Sequence, residues 1–331
     1  MGAEMTDVAA TAPDLQLEQY RAELTGYCYR MLGSAFEAED AVQDTFLRAW
    51  RSFDRFEGRS ALRSWLYRIA TNVCLDMLQG RVRRARPMEI SEQVHADVTL
   101  PAPVAETTWI EPVPDGRVLP ANADPADLAV ARETIRLAFV AALQHLPARQ
   151  RATLILCEVL RWKASEVAEL LETSVASVNS SLQRARATIS ALDIDMDAGG
   201  SSPDIDPAQR ALLARYVDAF ERYDMDSLVA LLHEDATLSM PPFAMWLRGH
   251  EDIRGWMLGT GSECRGSRLV VVAANGLPAA GQYRPSGPGG RFEPWALQVL
   301  ETSDGKITGL NAFLDVERYF PLFGLPERLD T

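Results

Sequence analysis

Residues 37–79 read EAEDAVQDTFLRAWRSFDRFEGRSALRSWLYRIATNVCLDMLQ, and they hold two amphipathic patterns joined by a short basic and aromatic loop. In the first, Val42, Phe46, Ala49, Trp50 and Phe53 recur at helical spacing, which predicts one buried stripe. The opposite face carries Asp40, Asp44, Leu47, Arg48 and Arg51: charges around one large apolar residue. Such a face is either plain solvated surface with a stray leucine or a docking surface. The second helix follows Gly58-Arg59-Ser60, and the Ser60 hydroxyl suits an N-cap. Leu62, Leu66, Ile69, Val73 and Met77 form its inner stripe, while Ser64, Arg68, Asn72 and Leu75 lie away from it and Trp65 on the flank. The helix runs into Arg81, Arg83, Arg84 and Arg86, a basic segment of the kind that meets phosphate.

The full chain has 331 residues and a net charge of −13, with 47% apolar residues, enough for two or three domains with real cores. The acid concentrates in residues 87–126 and beyond residue 192, so the net charge does not exclude nucleic-acid binding by the rest. Cys28, Cys74, Cys157 and Cys264 are widely separated, without zinc or redox spacing, and read as buried free thiols of a reducing cytoplasm. The first residues lack the basic start and apolar core of a signal peptide. No apolar run approaches the roughly 20 residues of a membrane span.

A helix is expected from about Asp14 to Leu32, ended by Gly33 and Ser34. Residues 87–126 carry prolines that break any helix and acids that repel one another, the composition of a flexible tether. Helical patterning resumes with Leu128, Ile135, Phe139, Ala142 and Leu143, followed by LPARQRATLILCEVL. In SEVAELLETSVASVNSSLQRARATI, Glu172-Thr173-Ser174 make a turn and a new helix starts at Val175. Its buried stripe is Val178, Leu182, Ala185 and Ile189, with Ala176, Ser177, Ser180, Gln183 and Arg184 outward and Asn179 and Arg186 flanking. This is a helix-turn-helix pattern, or else a plain helical hairpin with a polar face. Residues 193–204, DIDMDAGGSSPD, form a second linker. Beyond it, a broken helical pair and a run of alternating strands predict an α+β domain with one further helix near Gly249–Leu258.

AEDAVQDTFLRAW followed by LRSWLYRIATNVCLD closely resembles the promoter-melting region of bacterial extracytoplasmic-function sigma factors. The resemblance implies that Asp40, Gln43, Asp44, Leu47 and Arg48 dock on the β′ clamp of core RNA polymerase. It implies that Phe56, Arg59, Ser60, Trp65, Arg68 and Asn72 meet the −10 promoter element as single-stranded DNA, where unstacked bases lie on aromatic faces. The helix-turn-helix resembles the family's −35 reader, which also meets the β flap, and assigns duplex contacts to Ser177, Asn179, Ser180, Gln183, Arg184 and Arg186. Family members often carry Lys or Arg where this chain has Asn179 and Ser181, which predicts modest affinity and a shallow salt dependence. The acidic linker is expected to order only on polymerase, threading a basic cleft. The C-terminal part resembles SnoaL-like cone folds through YVDAFERYDMDSLVALLHEDATLSMPP, WLRGHEDI and the strand ending in NAFLD.

The resulting expectation is multidomain. Residues 14–86 form a sigma region 2 helical bundle, 87–126 a linker, 127–192 a region 4 helix-turn-helix, 193–204 a linker, and 205–331 an NTF2/SnoaL-like regulatory domain. Promoter DNA and core polymerase are the expected partners, with a small apolar ligand considered for the C-terminal pocket and no membrane. Trp246, Leu247, Arg248 and Gly249 are the expected contact surface of the tail, because Trp and Arg favour interface centres. Some relatives of the cone fold are cyclases or isomerases, so Asp235, Arg248, His250, Asp252, Glu293 and Gln298 are candidates for acid/base work. That role requires two titrating groups to converge in one pocket. No metal spacing or phosphate loop is present, and no cofactor is expected. Two other readings stay open: a tethered enzyme, and a helix-turn-helix regulator that needs no polymerase.

Overall fold

The computed structural model describes residues 17–53, 61–120, 124–192 and 207–330. The N-terminal module holds α1 (Arg21–Leu32), α2 (Ala35–Ser52) and α3 (Leu62–Leu78). Gly33 closes α1 in the left-handed region (φ 72°), and Ser34 then caps α2 by accepting from the Glu37 amide at 3.2 Å. The cap expected at Ser60 lies outside the described residues; α3 is preceded by Ala61.

The next module contains α4 (Asp115–Val118), α5 (Pro125–Glu133), α6 (Leu137–Gln144), α7 (Ala148–Leu154), α8 (Ala164–Leu170) and α9 (Val175–Ser190). The last of these begins where the sequence placed it, with the Ser174 hydroxyl accepting from the Ser177 amide at 3.1 Å. The C-terminal domain runs α10 (Pro207–Glu221), α11 (Met225–Val229), β1 (Leu232–Ser239), β2 (Trp246–Arg248), α12 (His250–Leu258), β3 (Arg268–Ala274), β4 (Leu277–Arg284), β5 (Glu293–Ser303), β6 (Lys306–Phe313) and α13 (Val316–Leu322). Its sheet has the order β2-β1-β6-β5-β4-β3, with β1 and β6 parallel and the other pairs antiparallel. The short β2 and the terminal α13 were not legible as elements in the sequence.

Strand alternation sorts the sheet into two cores. Ala280, Leu300, Ile307 and Leu310 face the cone interior with α10 and α12. Leu277, Ala279, Tyr283, Leu297, Val299 and Phe313 face outward, and that face belongs to one continuous core with the helical modules. No residue of β4 is exposed.

Residues 87–120 correct the expectation of a tether that is ordered only on polymerase. Ala85 and Ile110 pair backbones around Thr108 and Trp109 (Ala85 N to Thr108 O 2.7 Å, Ile110 N to Ala85 O 3.1 Å), and the Glu111 amide donates to Gly33 O at 2.9 Å. Val94 and Val104 donate to Trp246 O and Pro242 O at 3.0 and 2.8 Å, which lays the segment against the C-terminal domain. Proline forbids helix here but allows an extended strand. Trp109, Ile110 and Val113, each 3% exposed or less, supply the anchoring burial.

Candidate nucleic-acid interface

On α2, Ala38, Ala41, Val42, Thr45 and Ala49 point inward, and Asp40, Gln43, Leu47 and Arg48 are exposed, with Asp44 half-buried. The side chain of Arg48 pairs with Asp44 at 2.8 Å and with Asp76 at 3.5 Å. Trp50 corrects the predicted stripe. It is 59% exposed, one turn from Leu47 at 48%, while Val42 and Ala49 of the predicted stripe are buried together with Ala38, Ala41 and Thr45. The outer face of α2 therefore presents an apolar pair beside an ion pair.

On α3, Trp65 is half-buried with its ring edge-on to Phe53 at 6.3 Å, and Asn72 is exposed. Arg68 reaches Glu169 of α8 at 3.6 Å. Phe56, Arg59 and Ser60 lie outside the described residues. Beside this surface, Tyr67 and Trp162 stack edge-to-face at 5.1 Å, and the Arg63 guanidinium lies over both rings at 5.3 and 5.4 Å. The helix-turn-helix thus packs against the helix expected to hold the melted strand.

The outward surface of α9 stays open. Ser177, Asn179, Ser180, Gln183, Arg184 and Arg186 are all exposed. Arg184 donates to the Ser180 hydroxyl at 2.6 Å, and Arg186 is paired with Glu158.

Two buried arginines join the helical modules. Arg30 donates to Ala131 O at 3.0 Å and Thr134 Oγ1 at 2.9 Å, and Arg151 to Met31 O and to Gln144 Oε1 at 2.6 Å. Burial pushes each guanidinium down to about 10.

The centre of the assembly is the β3–β4 turn, Asn275-Gly276. Both residues have positive φ (57° and 69°), as a two-residue hairpin turn requires. Asn275 is fully buried. Its amide nitrogen donates to Tyr29 Oη at 2.6 Å and Ile135 O at 2.8 Å, and its Oδ1 accepts from the Val113 amide at 3.0 Å. The Gly276 amide donates to Asp115 Oδ1 at 2.8 Å, and a Cβ at Gly276 would sit 2.9 Å from Arg132 O. One turn of the C-terminal domain thereby bonds α1, the connecting segment and the entry to α6. Nearby, Glu111 is 1% exposed, accepts from the Ser34 hydroxyl and lies 3.7 and 3.5 Å from the guanidinium groups of Arg84 and Arg318. Burial raises the Glu111 and Asp115 carboxyls above their ordinary range.

Of the expected tail contacts, only Trp246 is bonded to another module, its indole donating to Ser91 O at 3.0 Å. Leu247 is a correction: it points into the cone core with no exposure, because strand alternation turns it away from Trp246. Arg248 pairs with Asp235 on the surface at 3.1 Å, and Gly249 (φ 86°) leads into α12. Asp235 and Arg248 are thus two acid/base candidates that meet, as an ion pair on the surface. Asp252 accepts from the Ala96 amide at 3.1 Å, and His250 Nε2 lies 3.1 Å from His233 O. Gln298 sits in a buried chain: Tyr216 donates to it at 2.8 Å, it donates to Gln282 at 2.8 Å, and Gln282 donates to Ser267 at 3.0 Å. No group of three or more metal-ligating side chains exists among the described residues, and no described helix is long and apolar enough to cross a membrane.

Family models match in the same order: Sigma-70 region 2 over residues 17–84, Sigma-70 region 4 over 136–189 and a SnoaL-like domain over 213–310. The chain is 43% identical to the ECF RNA polymerase sigma factor SigG of Mycobacterium tuberculosis, over 94% of this chain and 83% of that protein. It is 27% identical to SigJ of the same organism, over 89% of each. The crystal structure of that SigJ has the same fold, with a TM-score of 0.58 at 23% identity, covering 94% of this chain and 98% of that one.

Proposed function

This chain belongs to the extracytoplasmic-function sigma-70 family, and from that premise we propose that its SnoaL-like domain restrains transcription initiation by clamping both promoter-reading modules and their connection in one closed arrangement. The observation that carries this reading is Asn275, which bonds at once to Tyr29, Val113 and Ile135. Removing its side chain leaves a buried amide and a buried carbonyl without partners, at about 1–3 kcal/mol for each. No α1–α6 arrangement that pulls the modules apart keeps all three bonds.

In this reading, core polymerase engages the outer face of α2 through Asp40, Gln43, Asp44, Leu47 and Arg48, with Trp50 added as an apolar anchor. Region 4 meets the β flap. Trp65, Arg68 and Asn72 then take the −10 strand, and α9 takes the −35 duplex. The work is done in the cytoplasm, on promoter DNA. The test is reconstituted transcription with core polymerase, full-length chain and Asn275→Ala. The variant is expected to give several-fold more initial transcript at limiting polymerase and a larger radius of gyration when free. Equal output and equal size would overturn the clamp.

A further inference from the structure

The first two turns of α9 are chemically unusual for a helix that enters a DNA groove. From Ser174 to Leu182 there is no lysine or arginine. Bidentate reading of guanine, the commonest specific contact, therefore has no donor in the turns that come nearest the base edges. Instead the helix opens on Val175, an apolar β-branched residue left 44% exposed while Val178, three residues on, is buried at 1%. Ser174 caps the turn, so the Val175 backbone is fixed, and its branched side chain has one strongly preferred rotamer. Asn179 is also exposed and lies one turn further on the same face.

Resting on the reading of α9 as the −35 helix, we infer that Val175 reads a thymine 5-methyl group and Asn179 an adenine on a neighbouring base pair. A rigid apolar surface in the major groove has one apolar feature to meet, the thymine methyl. An asparagine amide matches the adenine N6 and N7 edge. The upstream element is thus recognised through an A·T step, and guanine contact falls to Arg184, further along the helix on a different face and released from Ser180.

The test uses reconstituted holoenzyme and duplexes randomised in the upstream element, with a fixed premelted downstream segment. Wild type is expected to select a thymine and an adjacent adenine. Val175→Ala should lose the preference at the thymine alone, and Asn179→Ala should lose roughly tenfold at the adenine. Replacing that thymine by deoxyuridine should weaken wild-type binding about fourfold, the worth of one methyl group, and leave Val175→Ala unchanged. Alanine is the better helix former at this exposed site, and circular dichroism checks the fold. Arg184→Ala separates the failures. If it shifts the selected sequence while Val175→Ala does not, or if deoxyuridine costs wild type nothing, the thymine assignment is wrong. If neither variant shifts the selection, α9 is not the reader and both readings fall.

Discussion

At the residue scale, the clearest departure from the sequence pattern is Trp50. Periodicity alone places it with Val42, Phe46 and Ala49, because 100° per residue cannot separate a stripe's edge from its flank. The buried side of α2 is instead formed by Ala38, Ala41, Val42, Thr45 and Ala49, and the indole lies outside it. An exposed Trp beside Leu47 suits the centre of an interface. Trp50→Ala should change stability by less than about 0.5 kcal/mol, as surface substitutions do, and weaken core-polymerase binding by about tenfold or more. Titration of labelled protein with core polymerase measures both halves; unchanged affinity would remove Trp50 from the docking face. Asn275 was equally invisible as a functional residue. The pair Asn-Gly announces a hairpin turn, but only tertiary structure shows that the turn is inserted between other modules.

At the element scale, most helices and strands were readable. The start of α9 at Val175, the break near Asp224 and the alternating strands follow from capping and period. The connecting segment was misread because its prolines and acids match a disordered composition. The signal against that reading was local: Trp109, Ile110 and Val113 inside an otherwise polar stretch, now buried. An extended segment held by backbone bonds on two sides should resist protease in the free full-length chain. Limited proteolysis is expected to spare residues 87–120 in wild type and to cut them in Asn275→Ala. Equal, rapid cleavage in both would contradict the packed segment. The turn itself is demanding. Gly276→Ala meets both a positive φ and the Arg132 carbonyl, which should lower thermal stability by about 1–3 kcal/mol, read by calorimetry.

At the scale of the whole molecule, the proposed closure would be linked to protons through two buried carboxyls. Glu111 faces Ser34, Arg84, Arg318 and Glu106, and Asp115 faces the Gly276 amide and Arg132. Burial dominates both and raises their carboxyls from ordinary values of 4.5 and 3.8. A raised carboxyl gives stability that is full below its unfolded value and lost as pH rises through the folded one. The closed form therefore binds more protons than an open form that wets these groups. Closure should tighten as pH falls toward the ordinary carboxylate range, and the compact fraction seen by small-angle scattering should rise with it. Glu111→Gln should flatten that dependence; an unaltered pH profile would show that another group sets it.

The outward face of the C-terminal sheet has a practical consequence. Leu277, Val299 and Phe313 belong to the same oily interior as α1 and α6. A chain severed near residue 204 would not yield two tidy halves, since each would carry a bare greasy wall in search of a cover. Clumping of such fragments would mimic a loss of control, so the sounder surgery on this protein is the exchange of a single amide.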